Sequence, residues 1–324
     1  MIDTHNAIKE SDLVPLVTGA GGAAGVAVIN ALRSNGGRVV GADCDPWAAG
    51  LALAHASGVL PRANDPGFAK AVGALAEHTG ANAIVSTVAE EMIALDSYAP
   101  DLTALGVALW VPSPESVRRC LDKWAFANCL GSAGLATPCT VLGNDNSEVP
   151  GPWIVKPRFG RGSRDVYAAE HPDELKWAIQ RVPEPLVQSR LTGREFTVDA
   201  LVNPDGTFAG GVARWRSETK AGISTKGETF FDSRVLDSAA QALNAVSLRG
   251  VANVQGFLTE TDQVIIVEIN PRFSGGLPLS LAAGADLIGE YLRGLAGFSI
   301  RPERLAYRSG VRMARYYSEV FFTE

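Results

Sequence analysis

Short apolar runs alternate with stretches of helical period through the first third of the chain. Leu13–Thr18 leads into Gly19-Ala20-Gly21-Gly22-Ala23-Ala24-Gly25, Val26–Ser34 follows with helical spacing, and Arg38–Asp43 is a second run that ends in an acid. Strand, glycine turn, helix and strand in that order begin a doubly wound parallel sheet. Ala83–Thr87 reads as a further strand and Ala89–Ala99 as a helix. Leu109–Val111 is a short strand before Pro112-Ser113-Pro114, where the first lobe ends.

The pattern then changes. Pro114–Gly131 reads as a helix, Trp153–Pro157 as a strand, Arg158–Arg164 as a glycine-rich loop and Asp165–Ala169 as a return strand. Pro172–Arg181 is helical in spacing and Leu186–Leu191 extended. Glu195–Val202 and Thr207–Arg214 flank Asn203-Pro204-Asp205-Gly206, a turn sequence that predicts a hairpin. Trp215–Phe231 is polar, charged and rich in glycine, and reads as a mobile loop. Val235–Leu248 is a helix, Ala252–Thr259 and Gln263–Ile269 a second antiparallel pair, and Leu279–Leu295 a closing helix.

The end of the last strand, Val267-Glu268-Ile269-Asn270-Pro271-Arg272, carries the clearest chemistry. Side chains two apart on a strand share a face. Glu268 and Asn270 therefore present adjacent oxygens, half of a Mg²⁺ site of the kind completed by phosphate oxygens. Pro271 has no N–H to donate and ends the ladder. Arg272 brings a planar fork suited to a phosphate or a carboxylate. Together they predict a protein that handles a nucleoside triphosphate.

A second segment, Ile154-Val155-Lys156-Pro157-Arg158-Phe159-Gly160-Arg161-Gly162-Ser163, joins two strands. A Walker loop would enter a helix and place its lysine after the glycines. Here Lys156 precedes them. Gly160 and Gly162 let backbone N–H groups gather around an anion, and Ser163 adds a hydroxyl. Taken alone, the same residues also fit an ordinary hairpin with an exposed glycine loop.

Composition narrows the classes. The chain has 324 residues, 46% of them hydrophobic and 20% charged, a globular balance. Lys and Arg number 29 against 35 Asp and Glu, a net charge of −6, so no basic excess speaks for nucleic acid. The first residues are polar, without the pattern of a leader, and no apolar run approaches the roughly 20 residues of a membrane span. Cys44, Cys120, Cys129 and Cys139 show no metal-type pairing, which predicts reduced thiols and a cytoplasmic setting. His5, His55, His78 and His171 lie outside every motif, and no Gly-x-Ser-x-Gly elbow is present. Histidine general-base, zinc and serine-triad chemistry have no support.

Three features occur in a telling order: Lys156 with its glycine loop; Val187-Gln188-Ser189-Arg190-Leu191 followed by Gly193-Arg194-Glu195-Phe196-Thr197-Val198-Asp199; and Asn253-Val254-Gln255-Gly256-Phe257-Leu258 leading to Glu268 and Asn270. This arrangement resembles the ATP-grasp superfamily over the whole chain, in particular single-module relatives of the carbamoyl phosphate synthetase large subunit and the amino-acid ligases. The resemblance implies an α/β chain in three parts: a Rossmann-like pre-ATP-grasp domain over 1–112, an ATP-grasp N-terminal subdomain over 113–185, and a C-terminal subdomain with the metal strand over 186–324. ATP would lie between the last two.

Carried over residue by residue, Lys123 and Lys156 resemble the two phosphate-contacting lysines. Gly160, Gly162 and Ser163 would belong to the lid over the β- and γ-phosphates. Gln188, Ser189 and Leu191 would pass along the adenine, and Glu195 would bond the ribose. Gln255, Glu268 and Asn270 would hold Mg²⁺ or Mn²⁺, and Arg272 would touch the transferred phosphate or the acyl phosphate. Gln188 stands where the family often has Glu. Gln255 replaces an acid common among relatives, but the synthetase branch also has Gln there.

The implied reaction is ATP-dependent joining of a small-molecule carboxylate and an amine through an acyl phosphate, with release of ADP and phosphate. An amino acid or small carboxylate is the expected substrate, and a homodimer is compatible with the resemblance. Neither nucleic acid nor membrane is expected as a partner. Two other readings stay open at this point. One is an NAD(P)-dependent oxidoreductase or epimerase using the Gly19–Gly25 turn, with Asp43 on a ribose, although no Tyr-x-x-x-Lys pair follows. The other is a non-catalytic ATP-binding subunit. Glu90 and Glu91 fit either a substrate ammonium or a plain helix N-terminus. Arg214, Arg216, Lys220 and Lys226 belong either to a solvated loop or to a flap closing on an anionic group, with Arg216 joining Lys156 and Arg272 in catalysis.

Overall fold

The structure is a computed structural model that describes residues 12–143 and 149–322. His5 and the polar start of the chain lie outside the described residues.

The first lobe runs β1 (Pro15–Thr18), α1 (Ala23–Ser34), β2 (Val40–Asp43), α2 (Ala49–Leu53), β3 (Ala56–Val59), α3 (Phe68–Thr79), β4 (Ala83–Ser86), α4 (Ala89–Ser97), α5 (Ala99–Ala104) and β5 (Ala108–Leu109). Its five strands are parallel in the order β3-β2-β1-β4-β5. β1 and β4 are buried along their whole length, which is why they read as unbroken apolar runs. Leu16 and Ile84 face Phe68, Val72 and Leu102. Val17 and Val85 face Val28, Ile29 and Leu32 of α1. The helix begins at Ala23 rather than at Val26, because Gly22 already accepts from the Val26 N–H at 3.0 Å. β3 was not legible in the sequence, since it is a half-exposed edge strand of small residues.

The expected single helix over 114–131 is two helices, α6 (Pro114–Leu121) and α7 (Lys123–Ser132). Asp122 breaks them with an extended backbone and caps α7 by accepting from the N–H groups of Trp124 and Ala125. A four-stranded antiparallel sheet follows, built from β6 (Thr140–Leu142), β7 (Trp153–Pro157), β8 (Tyr167–Ala169) and β9 (Pro185–Ser189), with α8 (Pro172–Arg181) against it. Its order is β6-β9-β7-β8. The division expected after residue 185 therefore falls at the first residue of β9, and this sheet extends to Ser189.

The remainder holds β10 (Arg194–Val202), β11 (Phe208–Lys220), β12 (Ile223–Thr229), α9 (Ser233–Ala245), β13 (Gly250–Leu258), β14 (Val264–Asn270), α10 (Leu277–Ala282), α11 (Leu287–Leu295) and β15 (Arg312–Ala314). The six-stranded sheet has the order β14-β13-β10-β11-β12-β15. Residues 215–231 are not a mobile loop. β11 continues to Lys220, turns through Ala221 and Gly222 at φ 49° and 76°, and returns as β12. Two consecutive positive φ values match the turn that suits strand twist. The strands escape a hydrophobicity reading because their alternation is carried by polar residues, with Ser224 and Thr229 buried on β12.

One face of this sheet is apolar: Phe196, Val198, Ala200, Ala213 and Val254 pack on Val235, Ala239, Ala242 and Leu243 of α9. The other face carries polar side chains toward the four-stranded sheet. The closing helix is also split, at Gly284 (φ 113°) and at Asp286, which caps α11. Phe273, Leu277, Leu287, Ile288 and Tyr291 share a core with α1, so the last part of the chain is packed onto the first lobe. Among the described residues, no helix is long and apolar enough to cross a membrane.

Candidate active site

A cleft of about 540 Å³ lies between the four- and six-stranded sheets. It is lined by Lys123, Lys156, Gly160, Gly162, Ser163, Gln188, Ser189, Leu191, Glu195, Arg216, Gln255, Glu268, Asn270 and Arg272, whereas the other candidates, Asp43, Glu90, Glu91, Arg214, Lys220 and Lys226, do not line it. The lining residues come from both sheets, the α6–α7 break and the glycine loop, and no single element could have assembled them.

The floor is set by strand register. Gln255 on β13 stands opposite Glu268 on β14, and Asn253 stands opposite Asn270. Asn270 donates to Glu268 Oε1 at 2.7 Å, and Arg272 donates to Asn270 Oδ1 at 3.1 Å. Gln255 donates to Asn253 Oδ1 at 3.1 Å. One carboxylate flanked by two amide oxygens is a hard donor set that suits Mg²⁺ or Mn²⁺ arriving with phosphate oxygens. Among the described residues no group of three His, Cys, Asp or Glu side chains could hold a metal. This floor, with its two amides, is a different kind of site.

Lys156 is buried on β7, and burial pulls its pKa down to about 8 against the attraction of Glu268. Lys123 enters from the first turn of α7 and donates to the Gly160 carbonyl at 2.8 Å. Asp122 fixes that approach, since Arg158 grips its carboxylate with bonds of 2.8 and 2.6 Å. Burial also lowers the pKa of Arg216 and of Arg272, while Glu268 opposes both shifts. Glu268 is thus the shared counter-charge of three cations.

The roof is made by two turns. Gly162 and Ser163 have φ of 68° and 55°. A Cβ on Gly222, at the β11–β12 turn, would lie 3.2 Å from the Gly162 Cα. The hairpin tip therefore rests on the glycine loop. Arg216 ties the tip inward, donating to the Gly222 carbonyl at 3.1 Å and pairing with Glu195 at 2.7 Å. Glu195 is itself raised in pKa by burial, which Arg216 only partly offsets.

Sequence reasoning missed a buried network beside the floor. Arg214, assigned above to the charged loop, is 1% exposed and pairs with Asp199 at 3.0 Å. Asp199 also accepts from Ser280 at 2.6 Å and Asn253 at 2.8 Å, and Arg214 donates to Ser274 at 3.0 Å. Burial raises the Asp199 pKa, but Arg214 and these donors outweigh it and hold the carboxyl below its ordinary value. The signal was present in period 2: Glu195, Thr197 and Asp199 share a face of β10.

The first lobe meets the cleft at its carboxyl edge. Asp43 accepts from the Gly21 N–H at 2.7 Å and from Asp45 at 3.0 Å, so it closes the glycine turn on itself. A Cβ on Gly25 would lie 2.2 Å from the Gly19 carbonyl oxygen, so this glycine serves close packing. Glu91 is buried and accepts from Thr18 and Ser86; burial lifts its pKa to about 7. Glu90 is exposed and pairs with Arg161 of the glycine loop at 3.2 Å.

Residues 181–318 match a family model described as ATP-grasp in the biosynthetic pathway with Ter operon, and residues 16–110 match the PylC-like N-terminal domain. The carbamoyl phosphate synthase large chain of Kineococcus radiotolerans is 30% identical over 235 residues, covering 64% of this chain and 21% of that one. The chain thus spans about a fifth of the length of that relative. The biotin carboxylase of Campylobacter jejuni superposes with a TM-score of 0.71 at 16% identity, over 91% of this chain and 73% of that one. An L-amino acid ligase from Bacillus licheniformis gives 0.69 at 15% identity, over 87% and 74%.

Proposed function

The chain is a member of the ATP-grasp superfamily, and on that premise we propose that it is a carboxylate–amine ligase that forms an amide through an acyl phosphate, with release of ADP and phosphate. The observation that carries the reading is the meeting of Lys156 from one sheet with Glu268, Asn270 and Arg272 from the other in one cleft. Adenine lies along Gln188, Ser189 and Leu191, and the ribose hydroxyls meet Glu195. The phosphates point toward Lys123, Lys156 and the loop at Gly160, Gly162 and Ser163. Gln255, Glu268 and Asn270 would hold Mg²⁺ or Mn²⁺, which when bound neutralises charge on the β- and γ-phosphates.

Phosphoryl transfer asks the protein mainly for position and positive charge. A substrate carboxylate oxygen attacks the γ-phosphorus, and ADP leaves with the electrons of the broken bond. The amine nitrogen then attacks the acyl carbon, phosphate departs, and the nitrogen gives up a proton. Lys156 and Arg272 hold the transferred group, with Arg216 behind them. The hairpin tip over the glycine loop keeps water from the acyl phosphate. The internal bonds of Asp43 and the Gly19–Gly25 packing support a structural role for that turn rather than a dinucleotide site.

Lys156 is in its charged, phosphate-binding form below pH 8. Mg·ATP affinity is therefore expected to fall above pH 8, approaching about tenfold per unit, and binding at pH 8.5 should take up a proton. Calorimetry in buffers of different ionisation enthalpy measures that uptake, and Lys156→Met should abolish it.

The function itself is tested by measuring ADP release over a panel of amino acids and small carboxylates paired with amines, with product mass as the second readout. ADP should appear with one carboxylate–amine pair, along with a product of their summed mass less water. No ADP with any pair would point to a nucleotide-binding subunit instead.

A further inference from the structure

A second cavity, of about 620 Å³, lies away from the nucleotide cleft, between α1 and the α10–α11 segment. Its apolar walls are Ala27 and Ala31 on one side and Pro278, Leu281 and Ala285 on the other, and Asn30, Ser34 and Asn35 of the α1 end add polar groups. The size falls within the roughly 300–1,000 Å³ typical of small-molecule sites, which pair apolar walls with a few fixed polar groups. Arg315 stands at its rim. The guanidinium is exposed at that rim. It donates to the carbonyls of Ser224 and Gly275, but no ion pair joins it to a carboxylate among the described residues. The acid that does line the cavity, Asp286, is engaged by Arg304 at 3.0 Å and by the Gly289 N–H at 3.0 Å. The cavity thus offers an apolar stretch and a cation that no carboxylate among the described residues pairs with.

We infer that this cavity is a binding site for a small amphipathic monocarboxylate, its hydrocarbon body between α1 and α10–α11 and its carboxylate on Arg315. Charge complementarity selects this occupant over a neutral one. The chain itself links the site to the nucleotide cleft: Gly275, which accepts from Arg315, follows Arg272 by three positions and would bring a Cβ within 3.1 Å of Ala23. The occupant therefore shares Arg315 with the backbone that follows Arg272.

Octanoate and octanol, titrated by calorimetry into the full chain without nucleotide, test the inference independently of any ligase activity. Octanoate should bind with one site per chain and about tenfold or more tighter than octanol, the value of one charge-assisted contact. Arg315→Gln should erase that preference, Arg315→Lys should restore part of it, and Ala31→Phe, which fills the cavity, should abolish binding of both probes. Equal affinities for the two probes, an unchanged preference in Arg315→Gln, or undiminished binding in Ala31→Phe would overturn it. So would self-association of the wild-type chain lost in Ala31→Phe, which would identify the groove as a contact between copies.

Discussion

Glu268→Ala is expected to lower ADP-forming turnover by at least about 10²–10³-fold, the range for removing one group that faces charge developing in a transition state. The loss should be larger than for either neighbouring amide. Glu268 contributes the full negative charge of the floor and draws Lys156, Arg216 and Arg272 toward their charged forms. Asn270 and Gln255 contribute only dipoles. The fold should survive, because Glu268 stands on the polar face of its sheet, while Ile266 and Ile269 hold the other face in the core. A melting temperature near wild type with ADP release lost is the expected pair of results. Turnover retained within a few-fold would remove Glu268 from any metal role.

Asp199→Ala is expected to give the largest loss of stability, about 3–5 kcal/mol, because it strands a buried guanidinium. Arg214 is 1% exposed and Asp199 3%. With Asp199 gone, Arg214 would keep its bond to Ser274, and Ser280 and Asn253 would lose their acceptor. The double replacement Asp199→Ala/Arg214→Met should be less damaging than the sum of the singles, since it removes the stranded charge. Urea unfolding measures both. A shift of under about 1 kcal/mol in Asp199→Ala would mean that the pair is solvated rather than buried.

The legible parts of this chain share a physical property. β1 and β4 announce themselves through apolar runs that are buried end to end, and β14 through an apolar run that Pro271 ends where it has no N–H to give. The cleft residues were legible because their chemistry constrains residue type and spacing together, as with Lys156 before Gly160 and Glu268 two before Asn270. Arg214 was misread because charge in a glycine-rich segment looks like solvent exposure. Its burial depends on Asp199, Ser274 and Ser280, which are distant in sequence. The break at Asp122 was hidden for a similar reason: helical spacing continues across it, and only the cap and the pairing with Arg158 show the change of direction. Local pattern reports burial and turns, whereas these features arise from long-range pairing.

The central claim is that the cleft between the two sheets takes Mg·ATP and that the glycine turn of the first lobe takes no dinucleotide. Parallel titrations of the full chain with Mg·ATP and with NADH test it most directly. Mg·ATP should bind saturably with one site per chain, at least about tenfold more weakly in Lys156→Met, and NADH should show no saturable binding. Saturable binding of NADH with none of Mg·ATP would contradict that claim.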